Sequence, residues 1–260
     1  MATTSDPAQT RTSSAQARER LAQARGARYG AARTFPVIEV FGPVLQGEGR
    51  MIGVQTHFVR FGYCDFRCAW CDSLFAVEPE QVQAEAEWLG VDAIVARLDA
   101  LSRHTPWVTL SGGNPAIHDL GALVERLHAS GRRVAIETQG TVYRPWVAAC
   151  DVVTVSPKPP SSGMTTDHAR LARFTALPQC NLKVVVFDDA DFAYARDIHQ
   201  RYPDRPFFVQ PGNAVGEDDT AALLAKLDWL AQRAMRDPAM ADAIVLPQLH
   251  TLLYGNRRGV

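Results

Sequence analysis

Three cysteines, Cys64, Cys68 and Cys71, stand close together with the spacing Cys-x3-Cys-x2-Cys. Thiolates this near one another are soft ligands for iron or zinc. Three of them can wrap a cubane iron–sulfur cluster, whose full complement is four cysteines, leaving one iron open to a small molecule. Structural zinc also takes four ligands, typically as two separated Cys or His pairs. The sequence offers no second pair, because His57, His104, Cys150 and Cys180 are scattered. Three unligated loop thiols are the remaining reading. Cys150 and Cys180 lie beside apolar strand starts and read as buried small hydrophobes. An odd total of five is a poor disulfide framework and fits a reducing compartment, here expected to be the cytoplasm.

Other polar or glycine-rich segments follow short apolar runs: Ser111-Gly112-Gly113-Asn114-Pro115, Gln139-Gly140, Ser156-Pro157-Lys158 and Gln210-Pro211-Gly212-Asn213. The runs themselves are β-branched or aromatic and predict strands over 37–41, 55–61, 107–110, 133–138, 151–155, 181–187 and 206–210, with 243–246 weaker. Apolar recurrence at three and four residues predicts helices over 82–101, 120–127, 169–174, 192–198 and 221–235. Strands alternating with helices imply a mainly parallel sheet. About six such units are too few for the eight-unit barrel, so the expected fold is α/β, a partial (β/α)6 TIM-like barrel. Ligands of parallel α/β folds bind at the carboxyl edge of the strands, where all these segments fall. Gly47-Glu48-Gly49 invites a dinucleotide reading and fails it, since that motif needs glycine where Ile52 stands.

Composition excludes several classes. The 260 residues carry 27 Lys+Arg against 28 Asp+Glu, without the cationic excess that a nucleic-acid coat or an electrostatic membrane binder needs. No apolar run reaches the length of a membrane helix, and no secretory signal pattern opens the sequence. Residues 1–33 hold six arginines against Asp6 and Glu19, with Leu21 the one large aliphatic residue after Met1. A transit peptide shares the arginine-rich, acid-poor signature. A lone leucine hardly makes an apolar helix face, so a disordered basic tail is expected, followed by one core domain over 34–260.

The cysteine spacing on the first βα loop, with Trp70 just before Cys71, resembles the radical S-adenosylmethionine (SAM) superfamily. Phe41-Gly42-Pro43-Val44-Leu45-Gln46-Gly47-Glu48-Gly49, Phe58-Val59-Arg60, Cys71-Asp72-Ser73, Glu137-Thr138-Gln139-Gly140, Val155-Ser156-Pro157-Lys158 and the terminal Leu246-Pro247-Gln248-Leu249-His250 narrow the likeness. Together they resemble the 7-carboxy-7-deazaguanine synthase family of queuosine biosynthesis. The resemblance implies that a 4Fe–4S cluster on Cys64, Cys68 and Cys71 binds and cleaves SAM to a 5′-deoxyadenosyl radical. The lyase reaction then contracts the ring of 6-carboxy-5,6,7,8-tetrahydropterin, with loss of ammonia, to give 7-carboxy-7-deazaguanine.

By the same resemblance Trp70, Cys71, Asp72, Gly112, Gly113, Ser156, Pro157 and Lys158 face SAM. Leu45, Gln46, Gly47, Arg60 and Ser111 face the substrate, the Arg60 guanidinium being suited to its carboxylate. Ser73 stands where most relatives carry threonine as a Mg²⁺ ligand; its hydroxyl is an equally hard oxygen without the methyl that restricts rotation. Glu137, Gln139 and Gln210, at strand ends, are further candidates to bind either ligand, and His250 is a candidate to close over the substrate. A homodimer and a reductase or flavodoxin-type electron donor are also implied. The competing readings are an activase for a glycyl-radical partner, which would commonly need more cysteines, and a non-catalytic iron–sulfur or zinc module.

Overall fold

The structure is a computed structural model that describes residues 33–213, 219–255 and 257–260. Apart from Arg33, the expected basic tail lies outside the described residues. Nine strands form one sheet: β1 (Thr34–Leu45), β2 (Gln55–Phe61), β3 (Glu87–Gly90), β4 (Trp107–Gly112), β5 (Arg133–Thr138), β6 (Val152–Val155), β7 (Cys180–Val186), β8 (Phe207–Pro211) and β9 (Ile244–Val245). Their order is β3-β1-β2-β4-β5-β6-β7-β8-β9. Every neighbouring pair from β2 to β9 is parallel, whereas β1 runs antiparallel to both β2 and β3. Strands β2 and β4–β8 match the six units of the expected partial barrel, and the two-residue β9 adds a seventh parallel strand.

Among the described residues, seven α-helices lie between or after the strands. They are α1 (Pro79–Glu85), α2 (Val91–Leu101), α3 (Gly121–Ala129), α4 (His168–Thr175), α5 (Asp189–Arg201), α6 (Thr220–Arg236) and α7 (Leu249–Tyr254). Three start on aspartate caps that accept from backbone N–H groups otherwise left open: Asp167 from Ala169 and Arg170, Asp188 from Asp191, and Asp219 from Ala221. Between helices and sheet, Ile94, Leu98, Leu110, Leu123, Leu127, Ile136, Leu171, Phe174, Leu182 and Phe207 are buried in one continuous core.

The single helix expected over 82–101 is broken. Glu87-Trp88-Leu89-Gly90 leaves the helical path to pair with Val37, Pro36, Phe35 and Thr34 of β1. Tertiary strand pairing overrides a periodicity that Gly90 already weakens. Beyond the break the predicted spacing holds, with Ile94, Val95 and Leu98 buried, although Leu101 at the helix end is 41% exposed. Strand β1 is longer than expected because it has a partner on each side, and α7 was not anticipated.

His118 anchors the segment after β4 to the end of β2. Its Nε2 lies 2.9 Å from the Gly62 carbonyl, which can only accept, so the ring donates there. Phe35 and Phe61 pack around the ring, and burial pushes its pKa down to about 4 against the Gly62 hydrogen bond. The unfolded chain therefore takes up this proton near pH 6.5 while the native state does not. The resulting stability is complete above that pH and is lost as pH falls from about 6.5 to about 4, to a limit of about 3 kcal/mol. Urea unfolding at pH 7 and pH 4.5 should show a smaller acid loss in His118→Gln, which keeps a donor but does not titrate.

Candidate active site

Strand β2 ends at Phe61, and the chain turns at once through Tyr63, whose φ of 73° is left-handed. The turn is pinned on both sides. Tyr63 N–H donates to the Ala76 carbonyl at 2.8 Å, while Gly113 and Asn114 N–H groups donate to Phe61 and Tyr63 carbonyls at 3.0 and 2.9 Å. This contact explains the glycine pair. A Cβ at Gly112 would sit 2.1 Å from the Phe61 carbonyl oxygen, and one at Gly113 2.1 Å from that of Tyr63. Gly112 also has φ +123°, which side chains rarely adopt.

The loop thus held carries Cys64 and Cys68, both buried, and half-buried Cys71. Cys64 Sγ accepts from Phe66 N–H at 3.4 Å and from Gln139 Nε2 at 3.5 Å. Burial, followed by the nearby Asp65, pushes the Cys64 thiol well up; burial and Asp72 bring Cys71 to about 11. Among the described residues no three His, Cys, Asp or Glu groups converge on a single-ion site. Cubane clusters instead spread their cysteines over separate irons. Three free thiols on one loop, one of them already holding two N–H donors, are the kind of soft ligand set that a cluster takes.

Trp70 is fixed from behind. Its Nε1 donates to Ser161 Oγ at 2.8 Å, and that hydroxyl donates to buried Asp191 at 2.5 Å. Its ring packs on Phe187 with centroids 4.9 Å apart, and Lys158 Nζ lies 5.6 Å from its centre. Lys158 also donates to Ser156 Oγ at 3.2 Å. Asp72 and Ser73 form a pair of hard oxygens, the Ser73 hydroxyl donating to Asp72 at 2.7 Å.

A second group of cavity residues forms a floor of buried charge. Lys183 contacts Glu48 directly and approaches Glu137 at 3.7 Å. Gln210 and Gln248 donate to Glu48 at 2.8 and 2.6 Å, and Gln46 donates to Glu137 at 3.2 Å. Burial works against the charge of both Glu48 and Lys183. Lys183 and then His250 nonetheless hold the Glu48 carboxyl well below its ordinary range, and Glu48 and Glu137 hold Lys183 well above its own. Arg60 donates to Glu39 at 2.5 Å, and its guanidinium carbon lies 5.7 and 5.5 Å from the ring centres of Phe41 and Phe75.

The three cysteines, Trp70, Asp72, Ser73, Lys158, Glu48, Lys183 and Arg60 border one cavity of about 470 Å³, within the usual range of ligand pockets. It brings together every residue expected from sequence except Pro157, which is buried but does not line it. Glu137, Gln139 and His250 also line it, whereas Gln210 reaches it only through Glu48. Sequence reading missed Lys183, although a lysine amid the apolar run Cys180–Val186 was a usable signal. It also missed Gln248 and the C-terminal residues Arg257 to Val260 along the cavity wall, and Asp65, buried behind the cysteine loop.

A mainly parallel α/β sheet with three thiols at the carboxyl end of its first parallel strand defines the radical SAM type of architecture. The crystal structure of QueE from Escherichia coli shares the fold, with TM-score 0.64 and 22% identity, covering 84% of this chain and 95% of that one. No protein-family model matches the chain. Among curated proteins, the 7-carboxy-7-deazaguanine synthase of Bacillus cereus is 45% identical over 245 residues, 87% of this chain and 99% of that protein. That of Bacillus subtilis is 43% identical, over 88% of this chain and 100% of its own length. The chain belongs to the 7-carboxy-7-deazaguanine synthase family, and with it to the radical SAM enzymes that use a 4Fe–4S cluster and SAM.

Two expectations follow for stability. Lys183→Met should cost about 3 kcal/mol or more in urea unfolding, because Glu48 is left buried and unpaired; adding Glu48→Gln should restore most of it. Gly113→Ala should destabilise by about 2 kcal/mol and reduce the iron retained after reconstitution, since the cysteine loop must move off β4.

Proposed function

We propose that the cavity holds SAM against the cysteine loop and 6-carboxy-5,6,7,8-tetrahydropterin against the charged floor, and that the chain converts the pterin to 7-carboxy-7-deazaguanine with loss of ammonia. The observation that carries this is the meeting of the three cysteines, Arg60 and Ser73 around one cavity. In this reading Cys64, Cys68 and Cys71 hold the 4Fe–4S cluster, which with SAM supplies the radical chemistry when bound.

The protein's own work is to position reactants and exclude water. Gly112 and Gly113 bring backbone close to the methionine end of SAM, and Trp70, Asp72, Ser156 and Lys158 line the remainder of its site. Pro157 serves only by fixing the loop between Ser156 and Lys158. Arg60, already oriented by Glu39, presents its remaining N–H donors to the substrate carboxylate. Leu45, Gln46, Gly47 and Ser111 border the pterin. The Gln46 carboxamide is internally committed: its oxygen accepts from Gly47 and Glu48 N–H groups, so it shapes the pocket through the backbone. Ser73 supplies a hard oxygen for Mg²⁺, supported by its contact with Asp72. The homodimer and the flavodoxin-type donor rest on the family resemblance. A cytoplasmic setting is supported by the free thiols; no helix among the described residues is long and apolar enough to cross a membrane.

The test incubates anaerobically reconstituted protein with reductant, SAM, Mg²⁺ and the carboxylated tetrahydropterin. Both 5′-deoxyadenosine and the deazaguanine product are expected. 5′-Deoxyadenosine without that product would overturn the substrate, and a Cys68→Ala variant with full activity would overturn the whole reading. Ser73→Thr should lower the Mg²⁺ concentration for half-maximal rate, and Ser73→Ala should raise it by about tenfold.

A further inference from the structure

The cluster loop has a second layer of contacts that its cysteines do not explain. Asp65, next to Cys64, is buried, and one of its carboxylate oxygens takes Gln139 Nε2 at 2.6 Å and Asn114 Nδ2 at 2.8 Å. Asn114 is tied in turn: its side-chain oxygen accepts from Thr138 Oγ1 at 2.8 Å and Ala116 N–H at 3.2 Å, and its nitrogen lies 3.3 Å from Thr141 Oγ1. Asn114 thus holds Asp65 to the ends of β4 and β5 without help.

Gln139 adds something different. A carboxamide nitrogen carries two hydrogens. With one on Asp65 at 2.6 Å, the other is directed to Cys64 Sγ at 3.5 Å. A donor to a cluster thiolate withdraws electron density from the sulfur and favours the reduced, more negative cluster; an unscreened carboxylate beside it does the reverse. One side chain performs both tasks. It supplies the donor and neutralises part of the field of Asp65.

We propose that Gln139 is a positioning residue that acts through Cys64 and Asp65 to raise the reduction potential of the cluster. The inference rests on the assignment of Cys64 as a cluster ligand. It concerns the electron affinity of the site and is independent of which substrate the enzyme takes.

The test uses the full chain, reconstituted anaerobically, with iron and sulfide counted and the cluster titrated with reductant by electron paramagnetic resonance, without SAM or substrate. Gln139→Leu removes the donor at similar volume, and Gln139→Glu replaces it with an acceptor. At unchanged iron content the Leu variant should be harder to reduce by about threefold to tenfold, or about 28 to 59 mV for one electron, and the Glu variant harder still. Wild-type potential in a fully loaded Leu variant would overturn the inference. So would a loss of cluster in both variants, which would make Gln139 a residue of assembly. If the wild-type chain itself binds no iron and sulfide, the ligand assignment fails, and the inference falls with it.

Discussion

The cysteine loop can leave the sheet where it does because β4 ends in two residues without side chains. Phe61 and Tyr63 carbonyls lie so close to Gly112 and Gly113 that a single added carbon on either glycine would overlap an oxygen. That contact supplies the two hydrogen bonds which fix the turn. It forces Tyr63 into a left-handed conformation and delivers Asp65 to Asn114 and Gln139. The sulfur positions follow from the backbone, before any ligand is considered. A glycine pair that the family resemblance ties to SAM therefore has a prior structural duty, and the two roles are compatible because the same atoms face the cavity.

The cavity is electrically divided. At the loop end burial keeps the thiols protonated, so ligand formation there must release protons. At the floor two carboxylates share one lysine, with three glutamine side chains filling hydrogen-bonding sites that the ions leave open. A buried ion pair recovers its desolvation only when such partners are present. The hydrogen bonds from Gln46, Gln210 and Gln248 thus offset part of the cost of burying these charges at the cavity.

Much of this was legible in the sequence. All eight predicted strands form, because buried parallel strands leave short apolar runs bounded by turn residues. Four of the five predicted helices have their amphipathic spacing, and the cysteine motif announces its own chemistry. The failures share a cause, which is pairing between distant segments. The helix expected over 82–101 breaks because β1 offers an edge to Glu87–Gly90. Lys183 looks like an exception within an apolar strand until Glu48, far away in sequence, is placed beside it. Asp65 carries no signal at all until β4 and β5 present their amides to it. Pro157 lies in the triplet Ser156-Pro157-Lys158 but is buried and, unlike its two neighbours, does not line the cavity.

The cavity draws on both ends of the core as well as on the strands between them. The cofactor end comes from successive strand-end loops, from Cys64 after β2 to Lys158 after β6. The floor joins the first strand to the last helix: Leu249 N–H donates to the Gly47 carbonyl at 2.9 Å, and a side chain at Gly47 would meet the His250 ring. Gln248 then reaches Glu48 from the start of α7, and Arg258 pairs with Glu85 of α1 at 3.0 Å while covering the Phe75 ring. A cluster loop supported by neighbouring strands can be ordered locally. A floor that joins Glu48 after β1 to Glu137 of β5, Lys183 of β7 and Gln248 before α7 exists only once the whole sheet has formed, which ties this part of the cavity to a complete fold.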